Sequence, residues 1–392
     1  MQKWETGEHA ACSPNYLRVL QVVTGLTVRE LGFQVLSDEP EASLIAGADD
    51  GERRAPTFAM SGMTEYTSDT TIESSMDRLR HALDHPATVD SRTAEFVEAS
   101  TSRLFDLEHH SPARLLAPTV SRHLTTVTSL LTAARHEAVR RSLMISAGRS
   151  ALLAGWLAFD RGDTQASHRF WDTSISAAEG VSDSGLLAAS LICLSYSAAR
   201  QGDPATAWRL AHTAGSHTPE DPRSTAWATA RVALYAARLG DREAAESAME
   251  RSMEIGDSLP DPKPGDGGAP WTSFFDLSRL MSCAAHTAAR LKDDRAIKYA
   301  AYAVDVLGPA KVKSRAVVLA ECALVAAMAG ELELCLDYGN PAATLTHDLD
   351  VSTAADLLYE VVTIVLPYSD TRAVRELLPQ LTRLPRTEDM QG

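Results

Sequence analysis

The sequence contains no GxxxxGK[ST] phosphate loop, no HExxH, no GxSxG and no GxGxxG behind a strand pattern, so none of the common nucleotide, zinc-protease, serine-hydrolase or dinucleotide sites is written in it. Cysteine is scarce. The five cysteines, at positions 12, 193, 283, 322 and 335, form no CxxC pair and several fall on apolar helical faces, which predicts buried free thiols rather than disulfides or metal ligands. His9 with Cys12 is too small a cluster for zinc. No apolar run approaches 18 residues, so no membrane span is expected, and the opening MQKWETGEHAACS lacks the apolar core of a signal peptide, which predicts a cytoplasmic chain. Positive charge is also short: 37 Lys and Arg stand against 52 Asp and Glu, a formal charge of −15 with a pI near 5.3. That balance argues against a broad nucleic-acid surface and leaves room only for a local basic patch.

What is present is apolar content and repetition. With 392 residues, 45% of them apolar, the chain can bury a large core and is expected to hold more than one structural unit. Between Arg149 and Thr387, six boundary signals recur: Gly162-Asp163, Gly202-Asp203, Gly240-Asp241, Asp293-Asp294, Gly330-Glu331 and Ser369-Asp370. Their spacing of about 38 to 40 residues, broken only at the Pro/Gly-rich run 259–270, is in the range of an α-helical solenoid. A small residue follows each boundary: Ala166, Ala207, Ala245, Ala296, Cys335 and Ala373. Four and seven positions further on lie Ala211 and Ala214, Met249 and Ser252, Ala300 and Ala303, so one helical face stays small and apolar and a second helix can approach closely. The predicted unit is helix, Gly/Asp turn, helix, and it buries its apolar face only by stacking on its neighbours. Six pairs are expected, at 149–179, 186–215, 224–256, 273–307, 314–346 and 352–385.

Upstream, Ser13-Pro14 is a helix start, followed by Leu17, Leu20 and Thr24 on one face before Gly25, and Thr27 to Glu30 has capping-box spacing. Residues 34–70 are acidic and Gly/Ser/Thr-rich, the composition of a linker of low order. Helical patterning resumes at 73–84, 91–107, 113–134 and 136–147. The third of these carries a continuous stripe of Leu115, Leu116, Val120, Leu124, Val127, Leu130 and Leu131. The segment 71–148 either caps the solenoid or pairs with a second subunit as a homodimer.

Two stretches carry a family resemblance. Trp4-Glu5-x-Gly7, Pro14, Tyr16, Leu17 and Thr27-Val28-Arg29-Glu30-Leu31-Gly32-Phe33 resemble the closing part of the Cro/C1-repressor-type helix-turn-helix domain of actinobacterial regulators. Around the second to fifth pairs the spacing resembles tetratricopeptide repeats, lengthened by a few residues, with pieces of their pattern such as Trp227 with Tyr235. Together with the passage Leu153-Ala154-Gly155-Trp156-Leu157 to Asp160-x-Gly162-Asp163, the combination looks like streptomycete-type regulators in which such repeats follow a DNA-binding domain. The resemblance implies an all-α fold, a right-handed solenoid of tetratricopeptide-like pairs (149–387) preceded by helices and by a helix-turn-helix remnant (1–33). It also implies that the helices which enter the major groove are missing, so DNA binding is expected only of a product with a complete amino-terminal domain. Residues 1–60 hold five Lys and Arg against nine Asp and Glu, and Arg18 and Arg29 are the only weak candidates for touching DNA phosphates.

In such arrays the first helix of each pair lines an inner wall where ligands or peptides lie. The wall residues expected here are Trp156, Asp160, Tyr196, Arg200, Trp227, Arg231, Tyr235, Arg238 and Phe274. Asp160, Arg200 and Arg238 occupy matching places before successive boundaries, so charge alternates along one track that would suit an effector with charged and aromatic features. Trp171 and Trp208 are expected to pack against neighbouring pairs. The insertion 257–271 is either a lid over the groove carrying Trp271 or a disordered excursion. Asp77, His81 and His85 share a helical face, but without a fourth ligand no metal is expected, and His109-His110 point two ways. No cofactor and no enzymatic activity are expected. The expected function is a transcription-regulator-related sensor or adaptor whose groove binds a small molecule, peptide or protein partner; the alternative is an interaction scaffold with no small effector.

Overall fold

A computed structural model of the chain describes residues 88–218, 221–259, 269–308 and 311–381. The chain divides into two compact units, Met1–Thr88 and Val89–Gly392, and the architecture is that of the second. The stretch 1–33 that resembles a helix-turn-helix remnant, the expected linker 34–70, Arg18, Arg29 and the expected Asp77–His85 face lie outside the described residues.

The described residues are all-α. Two helices, α1 (Ser91–Glu108) and α2 (Ala113–Ala133), precede six pairs: α3 (Glu137–Asp160) with α4 (Thr164–Val181), α5 (Ser184–Arg200) with α6 (Pro204–Ser216), and α7 (Pro222–Arg238) with α8 (Arg242–Asp257). Then follow α9 (Leu277–Arg290) with α10 (Ala296–Asp305), α11 (Val312–Ala329) with α12 (Leu332–Leu349), and α13 (Ser352–Val365) with α14 (Arg372–Leu381). In the first five pairs contacts are most extensive within the pair, in the last α13 and α14 pack mainly on α11 and α12, and contacts recur between neighbouring pairs, the arrangement of a helical solenoid.

Four of the six boundaries carry a left-handed glycine and three of those an aspartate cap, whereas Glu331 makes no side-chain cap and Ser369 stays right-handed at φ −57°. Gly162, Gly202, Gly240 and Gly330 each take a left-handed conformation, φ 76 to 80°, that ends one helix. The next residue starts its partner: the carboxylates of Asp163, Asp203 and Asp241 accept from the amides of Ala166, Thr206 and Ala244. At the fourth boundary Lys292 (φ 56°) takes the left-handed place and Asp293 receives the Arg295 amide. A Cβ added at Gly202 would meet no atom within 4 Å, so Gly202→Ala tests the backbone alone. It is expected to lower unfolding free energy by about 1–2 kcal/mol; an unchanged urea midpoint would contradict this reading of the turn.

The small-residue face is buried in the second helices: Ala207, Ala211, Ala214, Ala245, Ala300 and Ala303 are fully covered. In the first pair the register counted from the capping aspartate is the same, but the residue four beyond Asp163 is Ser167 and not Ala166. Ala166 is only partly covered, and Ser167, Trp171, Ser174 and Ala178 form the buried stripe instead. Trp171 packs inside its own pair, donating from Nε1 to the Leu152 carbonyl (3.3 Å) with its ring 5.7 Å from Phe159.

The expected break near residue 148 does not occur, because Gly148 sits inside α3, where a Cβ would come within 2.7 Å of Leu186. The predicted segment 136–147 and the first repeat helix are thus one helix of 24 residues. It is long and apolar enough to cross a membrane by length and composition, yet 72% of its most apolar window is buried inside the protein. α3 is packed on by α1, α2, α4, α5 and α13, which is why its burial runs round the helix rather than along one stripe. Its contact with α13 brings the last pair back to the first, so the inner wall formed by α3, α5, α7, α9, α11 and α13 closes on itself.

Candidate functional site: a divided inner cavity

Trp156 on α3, Tyr196 on α5 and Trp227 on α7 occupy first helices of successive pairs, and stacking sets their rings side by side. The Trp156 and Tyr196 centroids are 5.6 Å apart at 84°, and those of Tyr196 and Trp227 are 6.5 Å apart at 40°. Phe274, just beyond the insertion, meets Trp227 edge-on at 5.2 Å, and Trp271 meets Phe105 of α1 at 6.4 Å. These rings surround a cleft of about 800 Å³ including its mouth. The carboxy-terminal end of the insertion, a 3-10 turn at Pro270–Thr272, thus forms part of its wall, with Trp271 buried. Residues 260–268 lie outside the described residues.

The cleft's charged side is built from distant parts of the chain. Lys313, at the start of α11, donates from Nζ to Glu108 (2.9 Å) and to Asp160 (3.2 Å), and all three are buried. Burial raises the Asp160 carboxyl to about 6, with Lys313 only partly opposing. Burial also pushes Glu108 up, but Lys313 and His109 outweigh it and hold that carboxyl at about 2. His109 Nδ1 lies 3.3 Å from Glu108, and its Nε2 is 2.7 Å from the Ser273 hydroxyl. His110, its ring 6.4 Å from His109 and at 89° to it, faces elsewhere.

Tyr196 and Thr353 also line a second compartment of about 1000 Å³ on the same inner wall. Here stand Arg200, Arg231, Tyr235 and Arg238, with Phe159, His286, Glu321, Asp356 and Glu360 opposite or beside them. Arg200 is engaged within the protein. Its guanidinium lies 3.4 Å over the Phe159 ring, pairs with Asp356 (2.6 Å) and donates to Ser352 (2.7 Å) and the Phe159 carbonyl (3.0 Å). Glu321 is bound by Arg279 and by the Ser282 hydroxyl (2.6 Å), and Glu360 is bound by Arg290. Burial would raise Glu321, yet Arg279 and His286 hold it well below the carboxylate range. His286 is fully buried and burial lowers it to about 4, so at neutral pH it is uncharged.

No protein-family profile matches the chain, and no curated protein does. The wall residues expected from the sequence therefore stand on geometry. All nine, and Trp271 of the insertion, line at least one of the two compartments: Trp156, Asp160, Tyr196, Trp227, Trp271 and Phe274 the first, and Tyr196, Arg200, Arg231, Tyr235 and Arg238 the second. The alternating track does not form an open row of charges, because Asp160 is taken by Lys313 and Arg200 by Asp356.

Sequence reading missed Phe105, Glu108, Lys313, Arg279, Glu321 and Asp356. One of these carries a local signal: Glu321 is a lone carboxylate within the apolar run Ala316–Ala329, and a charge in such a run marks a buried pair. Lys313 carries none, because its partners lie 205 and 153 residues away. Among the described residues, no group of three or more His, Cys, Asp or Glu is placed to hold a metal ion. Cys193 lines the aromatic cleft, but burial raises its thiol well above the ordinary range, so it is an apolar wall atom rather than a nucleophile.

Proposed function

We propose that the repeat unit is the ligand-binding part of a transcription-regulator-related sensor or adaptor, with the aromatic cleft taking a small molecule or a short peptide segment. The observation that supports this most directly is the ring set Trp156, Tyr196, Trp227 and Phe274 around a cleft whose polar groups stand at one side. A concave, mostly apolar space with a few fixed polar groups is the usual form of a small-ligand site. The paired helices are tetratricopeptide-like in plan, and the amino-terminal resemblance to repressor-type domains supplies the regulatory half of the reading.

A sensor needs two states of similar free energy that the ligand binds unequally. The closure between first and last pairs is the element suited to this, because Arg200–Asp356 and Asp160–Ser352 (3.1 Å) join α5 to α13 and α3 to α13 beside the cavity. Ligand contacts at Tyr196 or Phe159 would bias those same links.

Thermal-shift and tryptophan-fluorescence titrations with size-fractionated cell extract test the reading. Low-molecular-mass material is expected to raise Tm by several degrees in the native protein, corresponding to about 2–3 kcal/mol at a hundredfold excess over Kd. Trp227→Ala is expected to lose that response. Stabilisation only by macromolecular fractions, with Trp227→Ala responding like the native protein, would replace the sensor by an interaction scaffold.

A further inference from the structure

The second compartment has a surplus of positive charge that its own side chains leave uncompensated. Its three carboxylates are each taken by one arginine: Asp356 by Arg200, Glu321 by Arg279 and Glu360 by Arg290. Arg231 and Arg238 remain, seven residues or about two turns apart on α7, both facing this space.

Arg231 is only 5% exposed. Its Nη1 donates to a neutral acceptor, the Tyr196 hydroxyl, at 3.3 Å, its Nε is buried without a partner, and among the described residues no carboxylate lies within ion-pair distance. The rings of Tyr196 and Tyr235 sit 4.7 and 5.2 Å from its guanidinium, which offsets part of the cost of burying the charge but supplies no anion. Arg238 has its Nε buried without a partner as well, and among the described residues it makes no hydrogen bond or ion pair. Removing one partner of a buried charge is costly, so a cavity-lining guanidinium pair with no carboxylate is the arrangement left when the counter-charge comes from outside the chain.

We propose that Arg231 and Arg238 form an anion subsite for a carboxylate or phosphate group, with the Tyr196 and Tyr235 rings as its walls. Tyr196 and Thr353 border both compartments, so an acid whose apolar body occupies the aromatic cleft can place its charged end here. The subsite extends the ligand-binding reading above but does not depend on the aromatic cleft being filled. Buried polar atoms in the same region agree with it: Thr353 Oγ1, at the border, also lacks a partner.

Isothermal titration of the full chain with inorganic phosphate and with acetate, at constant ionic strength set by chloride, tests the subsite and separates its two chemical sources. Saturable binding of at least one anion is expected, weakened about tenfold or more in Arg238→Gln and partly restored in Arg238→Lys, as for loss of a charge-assisted hydrogen bond. Arg238 is half-buried at the helix end, so its variant is the safer probe of the two arginines, with unchanged circular dichroism as the check on folding. Arg372→Gln, at an exposed arginine on α14 away from both compartments, is expected to keep the anion affinity. Absence of saturable binding by either anion, or an Arg238→Gln affinity equal to that of the native protein, overturns the proposal; in that event a Trp227-dependent response to extract would still stand for the cleft.

Discussion

Replacing Lys313 by methionine is expected to cost about 3–5 kcal/mol of unfolding free energy near neutral pH, because it leaves two buried carboxylates without a cation. Lys313 is 5% exposed, and Glu108 and Asp160 are 8% and 2% exposed, so water cannot replace the ammonium. Two opposing pH effects exist in the intact protein. The Asp160 carboxyl, raised by burial to about 6 from an ordinary 3.8, adds stability that is fully present below 3.8 and lost as pH rises through 6. Glu108, held at about 2 against an ordinary 4.5, adds stability that is present above 4.5 and lost as pH falls toward 2. Without Lys313 the main force holding Glu108 down is gone, and burial favours the neutral form of both groups. The variant's deficit is therefore expected to shrink in mild acid. Urea unfolding at about pH 4.5 and about pH 8 checks this, and an equal deficit at both would mean that the triad is not the source of the loss.

Trp171→Ala is expected to be similarly costly, about 3–5 kcal/mol, through lost burial and the cavity left behind. Trp171 is fully buried in the first pair, so close to α3 that a Cβ on Gly155 would come within 2.4 Å of its Nε1. The indole also supports Phe159, and Phe159 in turn carries the Arg200 guanidinium on its face. Truncation should thus loosen the Arg200–Asp356 link between the early and last pairs as well as the local core. A loss under about 1 kcal/mol, measured by urea unfolding, would show that the pair repacks around the gap. Trp171→Phe, which keeps a ring against Phe159, should recover a large part of the loss.

Much of the architecture is legible because its causes are local. A glycine that accepts a left-handed φ without strain, followed by an aspartate that caps the next helix, sets a helical hairpin within five residues in the first three pairs, and Lys292 takes the same conformation in the fourth. The alanine stripes at i, i+4 and i+7 show which face is covered, since burial of small residues on one helix depends on spacing alone. Where the expectation failed, the local signal was real but its context differed. Gly148 falls between the expected segments 136–147 and 149–179, and instead it lets Leu186 approach the middle of α3. Ala166 lies three residues after Asp163 where Ala207 and Ala245 lie four after their aspartates, so Ser167, at the matching place, takes the buried position.

The inner-wall residues could be named because first helices recur at a fixed interval, so Trp156, Tyr196, Trp227, Arg231 and Arg238 fall on one track of the chain before any contact is known. What each does there depends on charges that come from far away in sequence. Asp160 and Arg200 read as open ligand-binding charges and are occupied by Lys313 and Asp356; Arg231 and Arg238 read the same way and have no such counterpart among the described residues. No periodicity can separate these cases.

By itself, then, the sequence determined the helical class, the six hairpins and the wall to which the aromatic and arginine side chains belong, since turn conformation, capping and helical spacing act over a few residues. Tertiary structure alone decided that the first and last pairs meet, that the cavity is divided at Tyr196, and which arginines are left without a carboxylate. Those outcomes depend on which side chains lie within a few ångströms across separations such as 153, 156 or 205 residues, and short-range electrostatics in a buried space is set by that distance.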